Sequence, residues 1–274
     1  MSHTLNLSEW LNFALDLVRR ASAEALARQR GILARYKEDG SVVTDADEAV
    51  QTLLRDTIAA TYPHHGFLGE EDGGNTVEGK SIFWVADPID GTNCYQRQLP
   101  AWAVSLALVV DGQPQVAVVS LPPQGQIFYA TRGGGAFCDG YPIAVSPGAE
   151  LTRHDLILIS SNVHPIARPV TRARVHAYGS TCAHLLYTAA GRAQATLLGM
   201  SYPWDLVAAG LILEEAGGIL VDMVGQRLNL GDVALSQTLV MAGVACHPDR
   251  VLAAFASLEV DPGLGDHAFG QRHS

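Results

Sequence analysis

The sequence predicts a mixed α and β fold, with a strand meander in its first half and strands interleaved with helices in its second. Three observations predict it. Residues 8 to 30 repeat apolar side chains at helical period, residues 102 to 137 hold successive β-rich runs between turn formers, and strand-like and helix-like runs alternate after about residue 150. With 274 residues, 48% of them hydrophobic, the chain can bury a sizeable interior. We expect two lobes without a clean boundary, residues 1–150 and 151–260, and a mobile tail at 261–274, where Gly, Pro and His show no periodicity.

Each element has its own signal. In the first helix Trp10, Leu11, Ala14, Leu15, Leu17 and Val18 share a broad face, with Ser8 as the predicted N-cap. Residues 37 to 63 read as turn, short strand and helix. Thr44 and Asp47 there have capping-box spacing, and Val50, Leu53, Leu54 and Ile58 form the buried stripe. A short strand in "HGFLGEEDGG" ends in acids and a Gly-rich loop from Asp72 to Lys80, expected to close over a site. Residues 81 to 86 form a strand that runs into "DPIDGT". Three β-rich runs follow, separated by Asp111-Gly112 and by Pro122, Pro123 and Gly125. "DLILIS", "RVHAYG", "RAQATLLG" and "TLVMAGVAC" are strand-like. "STCAHLLYTAAG", residues 248 to 258, and the stretch from Pro203 to the Gly217-Gly218 stop are helical.

Charge and cysteine usage exclude several function classes. The formal charge of −10 disfavours general binding to nucleic acid or anionic membranes, while leaving room for small phosphorylated substrates. Cys94, Cys138, Cys182 and Cys246 are far apart and form no C-x-x-C pair. They read as reduced thiols of a cytoplasmic protein, not as a zinc site or disulfide frame. Glu9, Asp16, Arg19 and Arg20 interrupt the N-terminal apolar pattern as no signal peptide allows, and no apolar run is long enough to span a bilayer. None of the ten histidines forms an H-x-x-x-H pair on a helix. Trp102 and Trp204 read as core or wall residues.

The acids carry the chemistry. Glu70 and Glu71 follow one short strand, Asp87 and Asp90 end the next, and Asp47 and Asp205 stand in the first turns of two helices. Singly, each has an ordinary reading as a turn residue, a solvated loop or a partner of the helix dipole. All lie at the ends of apolar elements, however, where a fold can gather side chains into one cleft. Gathered there, like charges would raise one another's pKa and oppose ionisation. An all-oxygen set relieves that strain with a hard divalent ion such as Mg²⁺. Two such ions about 4 Å apart suit in-line phosphoryl displacement. Gly91 and Thr92 then offer backbone N–H groups to a phosphate. The D-x-D-G-T motif of aspartyl-phosphate phosphatases shares the "DGT" tail but spaces its acids one residue closer.

These residues resemble the inositol monophosphatase family. "GEE" at 69 to 71, "DPIDGT" at 87 to 92 and "WDLVAAG" at 204 to 210 are similar to its three signatures, in order. "VTDAD" at 43 to 47, "GST" at 179 to 181 and "EEAGG" at 214 to 218 match as well, so the resemblance spans roughly residues 8 to 257. It implies a layered α/β/α/β/α sandwich like that of the sugar phosphatases, and lithium-sensitive, Mg²⁺-dependent hydrolysis of phosphate monoesters. Carried over, Glu70, Asp87, the Ile89 carbonyl, Asp90 and Asp205 would hold two or three Mg²⁺ ions. Asp47 and Thr92, with Glu70, would orient and activate water. Asp90, Gly91, Thr92 and Asp205 would meet the phosphate, with Gly179, Ser180 and Thr181 near the leaving group and Glu71 one step behind. The resemblance also implies a homodimer acting on a small phosphorylated metabolite.

The substrate stays open at this point. Inositol-preferring relatives carry a Glu seven residues before the W-D aspartate, where this chain has Leu198. Leucine accepts no hydrogen bond from a polyol. The stretch after "DGT" resembles the histidinol-phosphate phosphatases, and other branches cleave 3′-phosphoadenosine 5′-phosphate or fructose 1,6-bisphosphate. A reading of another class is a non-catalytic metal or ligand sensor on the same fold. The presence of all six acids and hydroxyls, from Asp47 to Asp205, argues against it.

Overall fold

The computed structural model describes residues 6–32, 34–36, 42–72, 77, 79–147, 151–163, 167–169, 171–232, 240–243 and 258–260. In chain order the first elements are α1 (Leu7–Arg28), β1 (Ala34–Tyr36), β2 (Val42–Thr44), α2 (Asp45–Thr61), β3 (Gly66–Gly69), β4 (Ile82–Asp90) and α3 (Thr92–Gln96). A meander follows: β5 (Ala103–Val110), β6 (Gln113–Leu121), β7 (Gln126–Thr131), β8 (Gly135–Cys138) and β9 (Tyr141–Ile143). The remainder is β10 (Leu156–Ile159), β11 (Ala167–Pro169), β12 (Arg174–His176), α4 (Thr181–Ala189), β13 (Ala195–Leu198), α5 (Pro203–Glu215), β14 (Ile219–Asp222), β15 (Val240–Gly243) and β16 (Leu258–Val260).

Strands β3 to β9 lie in sequence order in one sheet, antiparallel except for the β3–β4 pair. The central strands are buried on both faces, and alternate residues feed two different cores. In β5, Val104, Leu106 and Leu108 face α1 and α2, whereas Ala103, Ala107 and Val109 face α4 and α5. A second sheet, ordered β12-β10-β13-β15-β14, packs on the far side of α4 and α5. The described residues thus stack as helices, sheet, helices, sheet, which is the α/β architecture the sequence predicts. Leu198 belongs to the core shared with α4 and α5 and is fully buried there.

Several local expectations are corrected. The N-cap of α1 is Asn6 rather than Ser8. Its side chain accepts from the Glu9 N–H at 3.3 Å and donates to the Glu9 carboxylate at 2.7 Å, a reciprocal pair that Ser8 is not placed to make. The third β-rich run is two strands, because the chain turns at Gly133 and Gly135, both at positive φ. β1, β9, β11, β14 and β16 are short strands without a clear period in the sequence. The helix expected at 248 to 258 lies outside the described residues except for Leu258, which begins β16. Most of the 72 to 80 loop, and the 261–274 tail, also lie outside them.

The largest correction concerns the strand expected at 81 to 86. It continues as β4 through both aspartates. Asp87 pairs with Ser105 and Asp90 with Ala103, so four residues of β4 oppose three of β5. This is a β-bulge, and Pro88 sits inside it, where a missing N–H costs no regular ladder bond. In an unbroken strand, residues three apart face opposite sides. The extra residue resets that parity and turns Asp87 and Asp90 toward one site.

Gly91 ends the bulge at φ +92°, and a Cβ there would lie 2.9 Å from the carbonyl oxygens of both Ala101 and Gly179. Gly125, at φ +65°, has open space where its Cβ would go. We expect Gly125→Ala to cost about 1 kcal/mol through backbone strain alone and Gly91→Ala at least twice that. Urea unfolding of the two variants checks this; equal losses would contradict the close packing at Gly91.

Candidate metal centre and active site

Four elements deliver acids to one end of the first sheet. The bulge of β4 supplies Asp87 and Asp90, which are 1% and 6% exposed. The first turn of α5 supplies Asp205. Ligand atoms of these three carboxylates all lie within 4.8 Å of one another. Asp205 is held because its Oδ2 accepts the Tyr202 N–H at 2.7 Å, closing the N-terminus of α5. Asp90 accepts three hydrogen bonds, from Ser180 Oγ at 2.6 Å, Thr181 N at 3.1 Å and Cys182 N at 2.7 Å. The start of α4 is thereby tied to the bulge. Asp87 Oδ1 accepts the Ile89 N–H at 2.9 Å. Ser105 Oγ accepts the Asp87 N–H at 3.3 Å and donates to the Trp204 carbonyl at 3.2 Å, joining β4 to α5.

Asp47 forms the neighbouring part of the site. It is fully buried at the start of α2. Its Oδ2 accepts the Thr44 N–H at 2.8 Å and the Thr44 hydroxyl at 2.6 Å, the capping box that the spacing predicts. Thr92 Oγ1 lies 3.2 Å from the other oxygen of Asp47 and 3.0 Å from the Ile89 carbonyl. Gly91 is the N-cap of α3, whose first residue is Thr92. Glu70 is half-buried on the wall of the cleft, outside the three-acid cluster, and the Glu71 N–H is held by Gln51 Oε1 at 2.9 Å. Gly179 and Thr181 line the cleft, whereas Ser180 is buried behind it with its hydroxyl committed to Asp90.

The electrostatics follow from burial. Burial raises Asp87 well above the usual carboxylate range, reinforced by Glu70, Asp90 and Asp205. Asp205 is raised well above it too, by burial and then by Asp90. Asp90 is raised by burial against the pull of its three donors. Burial lifts Asp47 to about 6, against its bonds to Thr44. Among the described residues, none of those lining the cleft is Lys, Arg or His. An all-oxygen cluster buried without a balancing cation fits a hard divalent ion.

Sequence reasoning missed much of the cleft. It encloses about 690 Å³, and its outer wall includes Ser161, Asn162, Tyr178, Met200 and Tyr202. Only tertiary packing brings these loops together. His184 Nε2 accepts the Tyr178 N–H at 2.9 Å and so fixes part of that wall from behind. Leu198 is absent from the lining, and the residue two positions later, Met200, faces the space instead.

The family profile described as "inositol monophosphatase family" matches residues 6–257. The chain belongs to the inositol monophosphatase family. A histidinol-phosphatase of Chlorobaculum parvum is 34% identical over 227 residues, covering 79% of this chain and 87% of the relative. The Nus factor SuhB of Escherichia coli is 32% identical over 231 residues, covering 78% and 85%. Among solved structures, an inositol monophosphatase from Anabaena superposes with a TM-score of 0.77 at 27% identity, covering 93% of this chain and 98% of that one. An IMPase/NADP phosphatase solved with Mg²⁺ and phosphate shares the fold, with a TM-score of 0.80 at 20% identity, covering 92% and 96%.

A carboxyl with a raised pKa binds more protons in the fold than in the unfolded chain. Its effect on stability is most favourable below the unfolded value near 4 and worsens as pH rises through the folded value. Asp87→Asn removes one of the opposed charges and keeps an oxygen for the Ile89 N–H. In metal-free protein at pH 8, we expect this variant to be more stable than wild type by ~1–3 kcal/mol, with the gap closing toward pH 5. Thermal denaturation in EDTA across that range measures it. A metal-free variant less stable than wild type at pH 8 would contradict the electrostatic reading.

Proposed function

We propose that the chain is a Mg²⁺-dependent phosphomonoesterase that hydrolyses a small phosphorylated metabolite by attack of an activated water. The observation that carries this reading is the cluster of buried Asp87 and Asp90 with half-buried Asp205, beside the Asp47–Thr92 hydrogen bond. In this reading Glu70, Asp87, the Ile89 carbonyl, Asp90 and Asp205 hold two or three Mg²⁺ ions. When bound, these ions lower the pKa of water and offset charge on the phosphoryl oxygens.

The chain's own residues handle the proton. Both oxygens of Asp47 are hydrogen-bonded, so the carboxylate is fixed in place. Thr92 gives its hydroxyl proton to Asp47 and accepts one from the water, whose oxygen bonds to phosphorus as the ester P–O bond breaks. The leaving oxygen takes its proton from solvent in the open cleft, and Asp47 returns to solvent the proton it has gained, so that the alcohol and phosphate leave with the site reset. Backbone N–H groups of Gly91 and Thr92 orient the phosphate at the start of α3, and Gly179 and Thr181 border the leaving group. The chain acts as a cytoplasmic homodimer of two-lobed subunits in this reading, and binds neither nucleic acid nor membrane. Among the described residues, no helix is long and apolar enough to cross a membrane.

A second reading, a non-catalytic binding role on the same fold, is favoured by the likeness to SuhB, which is named as a Nus factor. Mg²⁺ binding without phosphate release from any ester would support it over hydrolysis.

Two outcomes test the proposal. In Mg²⁺, phosphate release should fall at least 100-fold in Asp47→Asn while Mg²⁺ affinity stays within a few-fold of wild type, because Asp47 serves the water and not the ions. Near-wild-type turnover would exclude the Asp47–Thr92 relay. As a base, Asp47 works only when ionised, so kcat should drop as pH falls through a value at or below about 6. A kcat that is flat from pH 8 to pH 5 would count against it.

A further inference from the structure

The outer cleft carries a signature that the hydrolytic machinery does not use. Nine large apolar side chains are exposed among the described residues, and four of them, Leu99, Tyr178, Met200 and Tyr202, line this one cleft. Exposed apolar groups that converge in this way mark a ligand surface more than chance does. Tyr202 is 40% exposed and stacks on Trp204, with centroids 5.0 Å apart and planes 15° from parallel. Both residues lie just before Asp205 in the chain and line the same cleft, so their aromatic surface begins where the acids end. Stacked rings of this kind attract flat rings and cations.

The charge of the wall is equally informative. A second phosphate needs Arg or Lys partners to offset its desolvation. Among the described residues, the lining of this cleft offers neither, and its charged members are Glu70 and Asp205. The nearby Arg97 is turned onto Asn93, with Nη1 3.0 Å from the backbone oxygen and 3.0 Å from the side-chain oxygen. The polar wall residues Ser161 and Asn162 are neutral.

We infer that the cleft takes a phosphate monoester whose leaving alcohol is uncharged or cationic and carries a flat ring, and that it turns away esters bearing a second phosphate. This rests on the phosphomonoesterase reading and deepens it by naming the leaving-group class. The ring lies along Tyr202 and Met200, the phosphate points toward the acids, and any amine of the alcohol meets the negative field of the site rather than a paired cation.

Binding tests this apart from turnover. Calorimetric titration of the full chain, with Ca²⁺ in place of Mg²⁺, compares two pairs of esters. Histidinol phosphate has a flat ring and a cationic amine, and inositol 1-phosphate has neither. Adenosine 5′-phosphate and adenosine 3′,5′-bisphosphate share a ring and differ by one phosphate. We expect histidinol phosphate to bind at least tenfold more tightly than inositol 1-phosphate, and the second phosphate to weaken adenosine binding at least tenfold. Tyr202→Ala should erase most of the first difference, and Met200→Lys most of the second. Equal or reversed order in either pair, or no binding of any ester, would overturn the inference. The predicted order without phosphate release in Mg²⁺ would uphold the leaving-group assignment and defeat the hydrolytic one.

Discussion

Three carboxylates gathered within 4.8 Å, Asp87 and Asp90 buried and Asp205 half-buried on the cleft wall, are the constraint around which this fold is arranged. Burial and mutual repulsion both oppose their ionisation, and no cation lines the cleft among the described residues. Such a cluster persists only because the surrounding fold holds each member. Asp205 is pinned by the end of α5, Asp90 by the start of α4, and Asp87 by the bulge itself. In the proposed reading, the stability given up at this point would drive the uptake of a divalent cation.

The fold meets that constraint with ordinary parts. A bulge of one residue puts Asp87 and Asp90 on the same side of β4, where regular pleating would have separated them. Asp47 and Asp205 are each the third residue of a helix and close its N-terminus by accepting the N-cap N–H. In the first turn of a helix a carboxylate is also favoured by the dipole. The same side chains therefore cap helices and build the site. Gly91 is needed where the bulge, α3 and the loop at Gly179 meet, because no Cβ fits between the two carbonyls there.

Much of this was legible in the sequence. Asp87, Asp90 and Asp205, which the sequence marked as able to gather, do lie together; the Thr44–Asp47 spacing foretold a capping box, and the β-rich runs in residues 102 to 137 foretold the central sheet. What escaped had physical reasons. The short strands β1, β11 and β16 have three residues each, too few to show a period. The bulge was hidden because Asp, Pro and Gly are the residues of turns, and only pairing with β5 distinguishes the two. Leu198 drew attention through its distance from Asp205, yet it is the last residue of β13 and faces the core, and only beyond the end of the strand does the chain bring Met200 to the cleft. Tyr178, Asn162 and Tyr202 converge only through tertiary packing, which no local pattern reports.

The central claim is that buried, protonation-prone carboxylates are the seat of the metal. The most direct measurement is the number of protons released as Mg²⁺ binds, from calorimetry in buffers of different ionisation enthalpy between pH 6 and pH 8. The expected result is net proton release that grows toward pH 6, because the ion displaces protons that burial keeps on the acids. Mg²⁺ binding with no proton release throughout that range would contradict it, and would mean that the acids are already ionised before the metal arrives.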